Sequence, residues 1–275
     1  MKHIIVTASY DDIKKLNAWK RDYQQTGLFK PFVTVRDVNR VGRRHWSRCP
    51  VQELETHELS DGEYRAYRKL MMSKHCIEVL EQYPLDIDET LDIAVAMNLI
   101  HPRDYKSNIA HVMTTDFLAK YRSATGENYR IAYTFKYFDV IYEEDELGNI
   151  SRKNERTWQK FEIERQYWQR RKVGYQVLTE RDATKAESWN YNYFERGLGT
   201  KATSSELEAF CLDFIESWLA SPRAELQEHL QRISTTNNES FQRVQSLFQS
   251  ACQRSLLPID TTKYVRLFRP VGLTI

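Results

Sequence analysis

Two short runs constrain the fold most: His111-Val-Met-Thr-Thr-Asp116-Phe-Leu-Ala-Lys120 and Arg130-Ile-Ala-Tyr-Thr134-Phe-Lys136-Tyr-Phe. Each reads as a strand, and the Gly-containing segment Ser123-Ala-Thr-Gly126-Glu-Asn128 between them predicts a hairpin. Residues 152–172 then carry the strongest helical pattern in the chain. With Trp158 at zero, Phe161 falls near 300° and Trp168 near 280° on a helical wheel, and Glu164 near 240°. A carboxylate at the edge of an aromatic face is either amphipathic slack or a group projecting into a site. Gly174 leads on to another strand, Tyr175-Gln-Val-Leu-Thr179. Strand, strand, helix, strand predicts an α/β core.

Upstream, Ile13, Leu16, Trp19 and Tyr23 share one face of an amphipathic helix over residues 10–29 that Gly27 ends. An extended segment, Pro31-Phe-Val-Thr-Val35, and an Arg-rich loop follow. Ser60 to Glu63 is a capping-box pattern, in which the glutamate folds back onto the Ser60 amide. The helix it opens is expected to bury Tyr64, Tyr67, Leu70, Met71 and Ile77 and to end at Pro84. Residues 85–110 read as a loop with a helical turn around 88–97, and Glu143 to Asn149 as a solvated acidic turn.

Residues 181–200 read as a link to a second domain, giving boundaries of 1–180 and 181–275. Three helices are expected there. One starts at Ser205 and runs through Phe210, Phe214 and Trp218; one starts at Ser221-Pro222; and Asn238 caps one with Phe241, Val244, Leu247, Phe248 and Cys252 inward. With a final extended stretch, Lys263 to Arg269, they suit a mainly helical, winged-helix domain. If it binds DNA, the third helix would offer Gln242, Arg243, Gln245, Gln249 and Arg254. A module that binds only protein fits as well.

With 41% hydrophobic and 28% charged residues, the composition is that of a soluble globular protein, and no run is long enough to cross a bilayer. Four scattered cysteines without a Cys-x-x-Cys pair argue against a zinc site or a disulfide framework and fit a reducing cytoplasm. A net charge of +2 does not by itself announce nucleic acid. Local clusters say more: Arg36, Arg40, Arg43, Arg44 and Arg48 lie close together, and Arg170, Arg171 and Lys172 end the long helix. Basic patches among aromatics suit a DNA-facing surface, and solvated loop arginines are the plainer reading.

The predicted hairpin places Asp116 and Lys136 on neighbouring strands. A carboxylate can hold Mg2+, and an ammonium can orient a water or hold a phosphate oxygen, as phosphodiester hydrolysis requires. Alternation puts Thr134 and Lys136 on one side of the strand. A helix-borne glutamate would complete the set, and Glu53, Glu55, Glu58 and Glu63 all qualify. No phosphate-binding Gly-x4-Gly-Lys loop, His-Glu-x-x-His or Gly-x-Ser-x-Gly motif occurs, so ATPase, zinc-protease and serine-hydrolase chemistry have no support.

Several segments in order resemble the TnsA family, the endonuclease subunit of heteromeric Tn-seven-type cut-and-paste transposases. They are Val41-Gly-Arg-Arg-His45, Leu59-Ser-Asp-Gly-Glu63, Glu81-Gln-Tyr-Pro-Leu85, Val112-Met-Thr-Thr-Asp-Phe-Leu118 and the long Glu155 to Trp168 run. The resemblance spans about Pro31 to Asp182. It implies a restriction-endonuclease-like domain followed by a winged-helix domain. It also implies Glu63, Asp116 and Lys136 as the catalytic trio, with Glu164 an acidic residue near the site. Mg2+, replaceable by Mn2+, would be held by Glu63, Asp116, the Phe135 carbonyl and Thr134.

The chain departs from the family pattern at Thr134, where the family has glutamine, and at Tyr137, where proline is expected. The shorter threonine would reach the ion through a water. The resemblance further implies nicking of the 5′ ends of a transposon. A TnsB-like integrase-type subunit would cut and join the 3′ ends, and a TnsC-like ATPase would dock on the C-terminal domain. Arg43, Arg44, Arg243 and Arg254 are the candidate DNA contacts. A catalytically silent binding subunit and a stand-alone restriction-type nuclease are the competing readings.

Overall fold

The fold is that of a computed structural model, in which residues 6–38 and 42–274 are described. Arg40 and Val41 lie outside the described residues. The chain divides into two compact units, Met1–Ala183 and Thr184–Ile275.

The first unit opens with β1 (Thr7–Ala8), α1 (Tyr10–Thr26), β2 (His45–Arg48), β3 (Glu55–Glu58) and α2 (Asp61–Met72). It continues through β4 (Cys76–Pro84), α3 (Ile87–Ala96), β5 (Ile109–Ala110), β6 (Thr114–Arg122), β7 (Asn128–Phe135) and α4 (Phe138–Ile141). A small hairpin, β8 (Tyr142–Glu144) and β9 (Ile150–Arg152), precedes α5 (Glu155–Gln169) and β10 (Gly174–Leu178). The central sheet has the order β10-β7-β6-β4. β4, β6 and β7 are antiparallel, whereas β10 returns through α5 to lie parallel to β7, with Gly174 opposite Ile131 and Leu178 opposite Phe135. A mixed sheet flanked by helices is consistent with a restriction-endonuclease-like core.

Alternation along β6 and β7 feeds two cores. Phe117, Ala119, Tyr121, Tyr133 and Phe135 pack with Ala66, Tyr67 and Leu70 of α2. Leu118 and Ala132 pack on the other face with Ile163, Tyr167 and Trp168 of α5 and Ile93 of α3. Each leucine, isoleucine or phenylalanine among them, when fully buried, contributes about 1.5–3 kcal/mol relative to exposure. A third cluster seats Leu16 of α1 against Phe32, Ile87 and Ala110.

Several expectations need correction. The helix opened by Ser60 ends at Met72 rather than Pro84, and residues 76–84 are a central strand. Ser73 turns to an extended conformation, its hydroxyl donating to the Lys69 carbonyl at 2.9 Å, and His75 takes a φ of 70°. Val79 and Leu80 are both buried on opposite faces, so the strand lacks the alternation that would have marked it. Residues 87–96 form a full helix, begun by Asp86 accepting from the amides of Asp88 and Glu89. The Pro31–Val35 segment forms no strand. The acidic turn is exposed, as expected, and forms the tip of the β8–β9 hairpin.

In the second unit the presumed link is largely helical: α6 (Lys185–Glu195) and a 3-10 turn (Arg196–Gly199). Three helices follow, α7 (Ser204–Ala220), α8 (Leu226–Thr236) and α9 (Phe241–Gln253). Their caps are Thr203, Glu225 and Ser240, so Asn238 is not the cap of the third helix. Phe194, Phe210, Phe214, Leu230 and Phe248 are buried at its centre, with the Phe214 and Phe248 rings 5.1 Å apart. A Cβ at Gly197 would stand 2.3 Å from the Ser250 backbone nitrogen, so the 3-10 turn lies directly on α9.

The extended stretch at 263–269 forms no strand; the Leu226 and Gln227 amides donate to the carbonyls of Arg269 and Leu267, and the isolated bridges Ile259–Leu273 and Glu225–Pro270 flank it. Pro258 and Pro270 lack the N–H groups that a ladder would use. Among the described residues no helix is long and apolar enough to cross a membrane. All four cysteines are free thiols.

Candidate active site

Glu63 stands in the first turn of α2, where Ser60 caps the helix by accepting from the Glu63 amide at 3.1 Å. The reciprocal arm of the expected capping box is shifted by one residue. The Glu63 carboxylate accepts from the Leu59 amide at 3.0 Å and from the Ser60 hydroxyl at 3.2 Å, rather than from the Ser60 amide. Burial, reinforced by the charge of Asp116, pushes its pKa up to about 8, while the Lys136 ammonium works in the opposite sense.

Asp116 lies on β6, half-buried. One carboxylate oxygen accepts from the Phe135 amide at 2.8 Å and the other from the Gln82 side-chain amide at 3.2 Å. The same Gln82 nitrogen reaches Glu63 Oε2 at 3.4 Å, so one NH2 group stands between the two carboxylates. Lys136 follows the last residue of β7, its amide donating to the Leu178 carbonyl at 2.9 Å, and its side chain is exposed. Gly62 lets this group close up: a Cβ there would stand 2.0 Å from the Phe135 ring.

Behind Asp116 lies a second polar cluster. Glu164 of α5 is wholly buried and accepts from the hydroxyls of Thr134 at 2.6 Å, Thr115 at 3.3 Å and Tyr175 at 3.4 Å. Trp168 Nε1 donates to Thr115 at 2.8 Å. Lys160, one turn before Glu164, brings its ammonium to 3.7 Å from Glu164 Oε1. Burial raises the Glu164 pKa against the pull of Lys160. Burial would depress Lys160, but Glu164, Asp116 and Glu63 together hold its pKa above the ordinary value.

The structure therefore brings Glu63, Asp116 and Lys136 to one place, with Glu164 behind. Thr134 is also there, but its hydroxyl hydrogen is directed to Glu164, and it is buried while Lys136 is exposed. Among the other glutamates considered, Glu53 and Glu55 are exposed. Glu58 is buried beside Glu81, and burial pushes both carboxyls up. Sequence reasoning missed Lys160 and Gln82. Lys160 carries a signal, its i,i+4 spacing from Glu164; Gln82 carries none.

Of the candidate DNA contacts, Arg44 spends its guanidinium on the carbonyls of Val35 and Val38, and Arg243 pairs with Glu206. Arg43 and Arg254 are exposed. On α9, Gln249 is buried and Gln245 donates to Tyr193, so much of the polar face proposed for groove reading is used within the unit. Arg36 lies over the exposed Trp46 ring at 4.6 Å, a basic and aromatic surface beside α2.

A mixed sheet that gathers two acids and a lysine defines a class here: residues 73–180 match the family described as TnsA-like endonuclease N terminal. The match takes in Gln82, Asp116, Lys136, Lys160 and Glu164 and stops short of Glu63. Over that segment the chain resembles TnsA-like endonucleases. It is similar to the Transposon Tn7 transposition protein TnsA of Escherichia coli, 26% identical over 179 residues. That alignment covers 65% of this chain and 60% of the relative.

Proposed function

We propose that the chain is the DNA endonuclease subunit of a cut-and-paste transposase, hydrolysing a phosphodiester at the 5′ ends of the element with Mg2+, or with Mn2+ in its place. One observation carries the reading: Glu63 and Asp116, from different elements, turn their carboxylates to a single donor, Gln82 Nε2. Two hard oxygen ligands converging on one N–H donor suit a divalent cation in its place. Among the described residues no three Asp, Glu, His or Cys side chains are grouped to hold an ion. Neutral oxygens, such as the Phe135 carbonyl, Thr134 or water, would complete its shell. Bound there, the ion would neutralise charge on the phosphate and make a water more acidic.

The chain's own groups do the rest. The Phe135 and Gln82 amides fix the orientation of Asp116. Glu63 is held by the Leu59 amide and the Ser60 hydroxyl, so its carboxylate needs little rearrangement. The exposed Lys136 ammonium is free to steer the attacking water or to hold a phosphate oxygen. Glu164 and Lys160 form a neutral pair that keeps the layer behind Asp116 ordered.

The resemblance, rather than any contact within the chain, supports the partners: a TnsB-like subunit for the 3′ ends and a TnsC-like ATPase docking on the second unit. That unit's helices α7 to α9 would be the core of a winged-helix-like module. In a reconstituted reaction Asp116→Ala should abolish 5′-strand cleavage while assembly with the partners persists. Cleavage unchanged in that variant overturns the site.

A further inference from the structure

Gln82 has an unusual place on β4. It is 3% exposed and adopts a φ of 45°, a left-handed conformation that non-glycine residues seldom take inside a strand. Its neighbours keep the ladder, with Glu81 opposite Phe117 and Tyr83 opposite Thr115. The Gln82 carbonyl instead accepts from the Phe32 amide at 3.2 Å. The backbone is thus twisted locally, and the side-chain amide is delivered between Glu63 and Asp116.

The two ends of that amide have different surroundings. The nitrogen end donates to both carboxylates. The oxygen end accepts from the Thr114 hydroxyl at 2.9 Å. A hydroxyl both donates and accepts, so Thr114 satisfies either end of the amide. Asp116 does not have that freedom: without a cation its carboxylate requires the nitrogen, and a cation between the two acids favours the oxygen.

Resting on the metal-dependent reading above, we infer that Gln82 is a two-state member of the cation site. In the cation-free protein its NH2 group bridges Glu63 and Asp116. When a divalent ion enters, the amide turns over and offers its carbonyl oxygen, with Thr114 accepting from the nitrogen. The residue then replaces the ion when it is absent and helps to hold it when it is present. It supplies from β4 a neutral amide oxygen, next to a Thr134 whose hydroxyl hydrogen already serves Glu164.

The test is calorimetric titration of Mn2+ into the full chain without DNA, for wild type, Gln82→Met, Gln82→Glu and Asp116→Asn, with circular dichroism as the check on folding. Losing one oxygen ligand should weaken Mn2+ binding of Gln82→Met about tenfold or more. Gln82→Glu, with a permanently anionic oxygen of the same shape, should bind about tenfold tighter, because ligand charge raises affinity. Without divalent ions both variants should melt below wild type, since neither bridges the carboxylates.

Gln82→Met binding Mn2+ as tightly as wild type, while Asp116→Asn loses it, overturns this inference and leaves the nuclease reading standing. Should Gln82→Met fail to fold, unchanged or weaker binding by Gln82→Glu overturns it equally. A wild-type chain that takes up no Mn2+ overturns both.

Discussion

The raised pKa of Glu63 makes its carboxyl a cost to the cation-free fold. A carboxyl whose folded pKa lies above its unfolded value keeps its proton in the native state after the unfolded chain has released it. Stability from this group is therefore complete below pH 4.5 and falls as pH rises to about 8. We expect the wild-type chain in a chelator to lose stability over that window by up to about 1.4 kcal/mol per pH unit for one proton, relative to Glu63→Gln. Urea denaturation at several pH values measures it, and parallel profiles for the two proteins would refute the assignment. The trio itself was only partly legible beforehand. Asp116 and Lys136 stood out through the hairpin, but Glu63 was masked by its capping pattern, and only the family resemblance selected it. Gln82 could not be read at all, because its role depends on a backbone angle that residue identity does not encode.

At the scale of elements, the hairpin, α5 and β10 were legible because turn signals and a long amphipathic period mark them. β4 was not. A strand covered on both faces loses its alternation, and the helix-like spacing of Tyr64, Tyr67 and Leu70 ran on past the real stop at Ser73. The most demanding contact between elements is that of α2 with β7 at Gly62. Gly62→Ala would drive a methyl group into the Phe135 ring, a strain of about 1–3 kcal/mol. Because the Phe135 amide also orients Asp116, the same substitution should lower cleavage more than the lost stability explains. The measurements are the urea midpoint and the cleavage rate under conditions where the variant remains folded. A normal rate in a destabilised variant would separate the packing from the site.

At the scale of the whole chain, each unit encloses its own aromatic core, and Thr184 starts the second with a complete capping box. A fragment of residues 184–275 should therefore give a helical spectrum and a cooperative thermal transition by itself. A non-cooperative melt would show that this core depends on the first unit. One consequence concerns control. The Phe135 ring sits in a notch that only a residue without a Cβ leaves open, so the helix bearing Glu63 and the strand leading to Lys136 are keyed together. A switch that disarmed the site by sliding one past the other would first have to eject the ring. Under the proposed function, a site built this way stays armed, and restraint falls to whatever governs which DNA reaches it.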